Sequence, residues 1–405
     1  MKFIHLSDAH LDSPFLGLSF LPSKQFEQIK QTTEISFKRS VDYAIDEQVD
    51  LFLIAGDTFD SIHPSPKSQV FLVQQLRRLV DHEIQVVMIL GNHDYLNPEE
   101  MLLVNSTYFK LLGQDQKIES ANFKTKSNFE YVVHGFSYRE NHIEQDMAAQ
   151  FPIKVTGKYN IGLMHAGEKM QKGHNVYAPF TLSELKNLNY DYFALGHIHH
   201  RQVLSEHPLI AYSGNLQGRH INEQGAKGFD LIEVNEKTKQ AQISFIATAP
   251  IEWHEAKFNL QQELALSDLI EQIAAKLNAE MQKRSLWGIN IYGSDFLTEK
   301  EADFLQESEA LEEISRKLNN NSLLVRIKLH ADENLSLNKS DQAAFNQAQK
   351  QVLNKSEILT LGQSLAKKDD WLADMMQDDN FVEEVKSLTQ VKLGQKLKEL
   401  NDEIN

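Results

Sequence analysis

Eight residues of this chain have the types and spacing to do chemistry together: Asp8, His10, Asp57, Asn92, His93, His165, His197 and His199. They fall in five short clusters: Asp8-Ala9-His10, Gly56-Asp57, Gly91-Asn92-His93-Asp94, His165-Ala166-Gly167 and Gly196-His197-Ile198-His199. A lone histidine is usually structural or exposed, and His5, His82 and His207 are read that way. Five clusters that each follow an apolar run of strand length are hard to explain as core packing. Carboxylate oxygen mixed with imidazole nitrogen, and no thiolate, favours Mn²⁺, Fe²⁺ or Zn²⁺ over Ca²⁺.

The elements that must position these residues can be read from periodicity. Lys2–Leu6 and Leu51–Ala55 read as strands, and Ile84–Leu90 is an apolar run rich in β-branched residues, as buried strands are. Each ends where a cluster begins, and open α/β sheets place their sites at such carboxyl ends. Residues 24–48 carry Ile29, Ile35, Val41, Ala44 and Ile45 at helical spacing, and residues 67–82 do the same with Val70, Val73, Leu76 and Val80. A further helix is predicted over 97–112. Its consecutive Met101, Leu102, Leu103 and Val104 cover more than one face, so it is either a core helix or part of a surface that meets a second protein. Strands follow near 118–123, 130–136, 159–164, 191–195, 209–213, 228–234 and 241–247.

Composition shifts after about residue 250. A strand over 253–258, a helix over 267–283, a helix-favouring acidic stretch at 299–319 and a strand over 323–329 predict a small α/β module. From 331 to 405 there is no strand signal. Phe381, Val385, Leu388, Leu393, Leu397, Leu400 and Ile404 recur at spacings of three and four, an amphipathic helix with a break at Gly394.

With 405 residues, 41% hydrophobic and 24% charged, the chain has the composition of a soluble protein of two or three domains. No apolar run reaches the length of a membrane span, and Met1–Leu6 enters a strand with no room for a signal peptide. The absence of cysteine excludes disulfides, thiolate zinc sites and a cysteine nucleophile, and fits a reducing cytoplasm, the expected location. A formal net charge of −16 argues against tight DNA binding by this chain alone, because phosphate contacts rely on Lys and Arg. It favours a partner that supplies basic surface, while two bound cations would attract phosphate locally.

The ordered series D-x-H, G-D, G-N-H-D, H-x-G and G-H-x-H resembles the calcineurin-like metallophosphoesterases over about the first 250 residues. The resemblance implies an α/β fold, a four-layer α-β-β-α sandwich over residues 1–250, with a small cap at 251–330 and a helical, partner-binding C-terminal region at 331–405. It implies a two-metal centre. Asp8, His10 and His199 would hold one ion, Asn92, His165 and His197 the other, with Asp57 bridging. Such a pair, roughly 3.5–4 Å apart, clamps a phosphodiester and activates water near neutrality. His93 would contact the phosphate and protonate the leaving oxygen, and Asp94 would orient His93.

No arginine follows Gly56-Asp57, unlike in the family's protein phosphatases. The stretches Leu6 to Phe15, Gly56 to Asp60, Tyr212 to Arg219 and Glu223 to Gly228 are similar to the SbcD-type DNA repair nucleases, in their YhaO-like branch. That likeness implies a Mn²⁺-dependent DNA exonuclease, with single-strand endonuclease activity, docked on an SMC-like ATPase through its C-terminal helices. A homodimer through the nuclease domain is a further expectation, motivated by the apolar helices at 67–82 and 97–112. Arg219 and His220 either contact substrate phosphate or form a surface pair. A phosphodiesterase or phosphatase for small nucleotides or phosphoesters is the alternative function, and an inactive scaffold is disfavoured because every expected ligand is retained.

Overall fold

The computed structural model describes residues 1–95, 101–169, 177–281 and 283–330, and single positions or short stretches between 347 and 396. By packing, the chain divides into two compact units, Met1–Trp253 and His254–Asn405.

In the first unit, β1 (Lys2–Leu6), β2 (Leu51–Ala55) and β3 (Gln85–Ile89) lie side by side in parallel, separated in sequence by helices α1 (Ser23–Lys30), α2 (Thr32–Asp46) and α3 (Pro66–Asp81). A short edge strand β4 (Phe109–Leu111) adds in parallel to β3. The second sheet is built from β5 (Glu119–Lys124), β6 (Glu130–Gly135), β7 (Tyr159–His165), β8 (Tyr192–Gly196), β9 (Gln202–Glu206) and β10 (Leu209–Tyr212), with α4 (Leu182–Asn187) between β7 and β8. The antiparallel pair β11 (Gly228–Val234) and β12 (Ala241–Ala247) returns to β1. The two six-stranded orders are therefore β12-β11-β1-β2-β3-β4 and β5-β6-β7-β8-β10-β9.

Strand alternation explains why the runs read as continuously apolar. Successive side chains of a strand point to opposite faces, and both faces here are covered. Phe52 and Ile54 of β2 enter a core shared with Phe37 and Val41 of α2 and with Leu72 and Leu76 of α3. Their neighbours Leu51, Leu53 and Ala55 enter the core between the sheets, against Tyr159, Ile161 and Tyr192. A third core covers the far face of the second sheet, where Phe193 and Leu195 meet Leu185 of α4. The layers are thus helix, sheet, sheet, helix.

Two helical expectations change. The pattern over 24–48 is two helices that divide at Gln31, with Ile35 exposed. The helix predicted over 97–112 is not formed at 101–112. Met101, Leu103 and Val104 pack on the first core from irregular chain, and Phe109–Leu111 is strand β4. The triplet Asn105-Ser106-Thr107 competes for backbone hydrogen bonds and favours turns over helix. Ser106 Oγ accepts from Tyr108 N at 3.1 Å. Residues 97–100 lie outside the described residues.

The second unit contains a three-stranded sheet, β13 (Glu252–Asn259), β14 (Ser285–Tyr292) and β15 (Leu323–His330), with helices α5 (Leu266–Glu280), α6 (Glu299–Leu305) and α7 (Ser308–Ser315). Ile289, Ile291, Ile327 and Leu329 share its core with Leu269, Ile273 and Ile314. Val391, on a helical stretch at 385–393, is buried in that core. Of the amphipathic series, Phe381, Leu397, Leu400 and Ile404, and the break at Gly394, lie outside the described residues.

Candidate metal centre

All five clusters come together at the carboxyl ends of β1, β2, β3, β7 and β8. The loops after β1 and β2 are zipped by backbone hydrogen bonds, Asp8 N to Gly56 O at 3.1 Å, His10 N to Asp57 O at 3.1 Å and Leu11 N to Thr58 O at 2.8 Å. Asp8, His10, Asp57 and His197 have φ of 50°, 45°, 49° and 97°. Non-glycine residues in this region cost roughly 1–3 kcal/mol each and gather at functional sites. Here the turn aims each side chain inward.

One group of donors is Asp8, His10 and His199. His10 Nε2 and His199 Nε2 are 3.1 Å apart, and His199 Nε2 is 3.7 Å from Asp8 Oδ1. The other group is made by Asn92, His165 and His197. Asn92 Oδ1 is 3.0 Å from His165 Nε2 and 3.2 Å from His197 Nδ1. Asp57 lies between them, its Oδ2 being 3.2 Å from His165 Nε2 and 3.9 Å from His10 Nε2. The structure therefore brings these seven residues to one place.

The donors fit divalent cations on two counts. Adjacent nitrogen ligands of one ion at metal–nitrogen distances of ~2.1 Å stand about 3 Å apart, the spacing of His10 and His199. In addition, ligand atoms of Asp8, Asp57 and His165 lie within 4.8 Å of one another with all three residues buried. Two carboxylates at such a distance repel by roughly 3 kcal/mol at an effective dielectric of ~20, which a cation between them reverses.

The protonation of these groups responds to that crowding. Burial pulls His165 down, but the charge of Asp57 outweighs it and lifts the imidazole to about 9. Burial opposes ionisation of Asp57, yet His165, then His10 and His93, hold it well below the usual carboxylate range. His197 is pushed down to about 4 by burial and by the neighbouring His165.

Hydrogen bonds on the far ring nitrogens set the histidine orientations. His165 Nδ1 donates to Ala55 O at 2.9 Å and His199 Nδ1 to Glu223 Oε1 at 2.6 Å. His10 Nδ1 is 2.8 Å from Asp60 Oδ1, with its N–H aimed off that oxygen.

His93 is exposed at the rim, its ring edge-on to His10 with centroids 5.1 Å apart. Its Nδ1 is 3.3 Å from the carbonyl oxygen of Asp60. The expected contact with Asp94 is not made. Asp94 is fully buried, and its carboxylate accepts from Gly91 N at 2.6 Å, Thr58 N at 2.6 Å and Phe59 N at 3.2 Å. Backbone amides two loops wide capture it before a side chain can. Burial and the charge of Asp57 push its pKa up.

Arg219 lies beside the centre, but its guanidinium is paired with Asp60 and lies 3.7 Å from Glu223. His220 is half exposed and 3.2 Å from Glu223. Asp60 and Glu223 are functional candidates that the sequence pattern does not mark. Neither stands directly at a strand end, so the pattern of apolar run then polar cluster passes over them.

The sequence pattern of the calcineurin-like phosphoesterases matches residues 1–201. The chain is 37% identical over 281 residues to the uncharacterized metallophosphoesterase YhaO of Bacillus subtilis, spanning 68% of this chain and 68% of that protein. It is 25% identical over 293 residues to the DNA double-strand break repair protein Mre11 of Sulfolobus acidocaldarius, with 70% of each chain covered. To the Mre11 protein of Methanocaldococcus jannaschii it is 25% identical over 287 residues, 67% of this chain and 73% of that one.

Proposed function

This chain belongs to the calcineurin-like metallophosphoesterases, and from that premise we propose a DNA phosphodiesterase: an exonuclease with single-strand endonuclease activity in a repair complex with an SMC-like ATPase. Phosphoester hydrolysis with divalent metal is the family's chemistry. The observation that carries the reading is the convergence of two ligand sets on Asp57 with His93 at their rim. The choice of DNA is supported by the similarity to proteins named for double-strand break repair.

Bound at the two positions, divalent cations supply Lewis acidity to phosphoryl oxygens and lower the pKa of water. Mn²⁺ is the proposed metal, on the mixed oxygen and nitrogen donors. Asp57 would serve both positions through Oδ2, the oxygen near His165 and His10, while its Oδ1 accepts from His93 N at 2.9 Å. His93, with Nδ1 against the Asp60 carbonyl, keeps Nε2 as the nitrogen that can hand a proton to the leaving oxygen. Arg219, tied to Asp60, would meet substrate phosphate only by exchanging that partner, and the half-exposed His220 is the freer phosphate contact.

No helix among the described residues is long and apolar enough to cross a membrane, and the cytoplasm is the proposed compartment. Docking on the ATPase is assigned to the C-terminal helices and the cap role to residues 251–330. A homodimer through the nuclease domain is proposed on the exposed Val70 and Leu102, where Leu102 N donates to Gln69 Oε1 at 3.2 Å. Light scattering with only monomers at micromolar concentration would count against it.

The net charge of −16 favours one alternative, hydrolysis of small nucleotides or phosphoesters. Purified protein with Mn²⁺, assayed on labelled DNA and on bis-p-nitrophenyl phosphate, separates the two. Cleavage of both supports the DNA reading. Cleavage of the small ester alone, even with the ATPase present, overturns it.

A further inference from the structure

We propose that Glu223 is a positioning residue that makes the Asp8–His10–His199 position the tighter of the two cation positions. The inference rests on the metal-centre reading and adds an order of filling and its cause.

Glu223 is buried, with 6% of its side chain exposed, and its carboxylate is fully engaged. Oε1 takes the His199 Nδ1 proton at 2.6 Å, while Oε2 accepts from Asn215 Nδ2 at 2.8 Å and from Arg219 N at 2.7 Å. The proton of His199 is therefore fixed on Nδ1, and Nε2 presents its lone pair toward Asp8 and His10. A carboxylate behind a ligating imidazole makes the ring a stronger donor as well as orienting it. His10 has the Asp60 carboxylate 2.8 Å behind its Nδ1.

The other position lacks this support. His165 has the neutral carbonyl of Ala55 behind it, and the face of His197 lies against the ring of Tyr177, with centroids 4.5 Å apart. No hydrogen bond from a carboxylate to the His197 ring is present among the described residues. Charge adds to the difference. Beyond the shared Asp57, one position has the anionic Asp8 and the other the neutral amide of Asn92, and affinity for hard cations rises with ligand charge. Of the two backing carboxylates, Glu223 has the larger effect. Asp60 makes the close ion pair with Arg219 and lies off the His10 N–H, whereas Glu223 meets the His199 ring directly at 2.6 Å and stands 3.7 Å from Arg219.

Calorimetric titration of the purified full chain with Mn²⁺ is expected to show two phases at least 10-fold apart in Kd. Glu223→Gln, which keeps the length but not the charge, should weaken the tighter phase by about 10- to 100-fold and move the other less than about 3-fold. Because that loop could loosen in the variant, the wild-type chain supplies a second reading. With ¹⁵N-labelled histidine and up to one equivalent of Zn²⁺, the ring signals of His10 and His199 should shift before those of His165 and His197. Simultaneous or reversed shifts overturn the proposal, as does equal weakening of both phases by Glu223→Gln. Absence of any heat and any histidine shift would instead overturn the metal-centre reading itself.

Discussion

His93 and Asp94 are neighbours in the chain with separate tasks in the fold. His93 is exposed, with its ring against the Asp60 carbonyl and its backbone N–H on Asp57 Oδ1. Removing its ring leaves every metal donor in place. His93→Ala is expected to lower hydrolysis by 10²–10⁴, with metal binding and thermal midpoint unchanged; full activity in that variant would take His93 out of the mechanism. Asp94 instead ties the loop after β2 to the loop after β3 through three amides. Asp94→Asn puts a donor where one or two N–H groups already point. A loss of about 2–3 kcal/mol is expected, the scale for hydrogen bonds to a buried charge, with weaker metal binding because Asp57 and Asn92 lie on the two loops it joins. An orienting role toward His93 would instead lower kcat at constant stability. Sequence alone could not separate these tasks, because G-N-H-D fixes the order of the residues and not which way a buried carboxylate turns.

Among the elements, parallel strands were legible because a run such as Leu51–Ala55, apolar at every position, needs both faces covered. The ligands were legible because they sit where those strands end. The helix expected at 97–112 was not, because Leu102-Leu103-Val104 fits a core loop as well as a helix, and tertiary pairing of Phe109–Leu111 with β3 decided it. The sequence pattern also misses β9, an edge strand supported by the adjacent β10, and β14, which is supported by the remote β13 and β15. Close approach of elements leads to a sharper test. A Cβ on Gly91 would stand 2.2 Å from Asp57 Oδ1 and 2.8 Å from Asp57 N. Gly91→Ala should therefore displace Asp57 and reduce metal binding at both positions, which calorimetry on the folded variant would show. A second test concerns Asp230 on β11, fully buried beside Arg201 and raised to about 6 by burial, which the Arg201 hydrogen bond only partly offsets. Because the folded pKa exceeds the unfolded value near 4, its contribution to stability is present below about pH 4 and is lost as pH rises through about 6. The shift corresponds to about 3 kcal/mol. Denaturant midpoints of Asp230→Asn should lack that fall, so the difference between variant and wild type should change between pH 4 and pH 6.5 and stay flat above it.

For the whole molecule, the proposed partnership with an SMC-like ATPase turns on the C-terminal helical stretch. Its apolar spacing admits either packing on its own chain or docking on the ATPase, and residues 385–393 show that the first claims part of it. Val391 is 2% exposed within the core of the second unit, whereas Leu393, two residues on, is 38% exposed. A chain ended after about residue 340 should fail to co-purify with the SMC-like ATPase and still hydrolyse bis-p-nitrophenyl phosphate. That deletion also removes Val391 from its core, so loss of binding could follow from unfolding of the second unit. Leu393→Glu separates the two causes. A carboxylate at a partly exposed position costs little stability, while the same group pressed into an apolar interface is left without a partner. The substituted chain should keep its thermal midpoint and its activity on the small ester and lose the ATPase. Normal co-purification of Leu393→Glu would move the docking surface off this stretch. Failure to bind accompanied by a lower midpoint would mean that Leu393 serves the fold and not the partner.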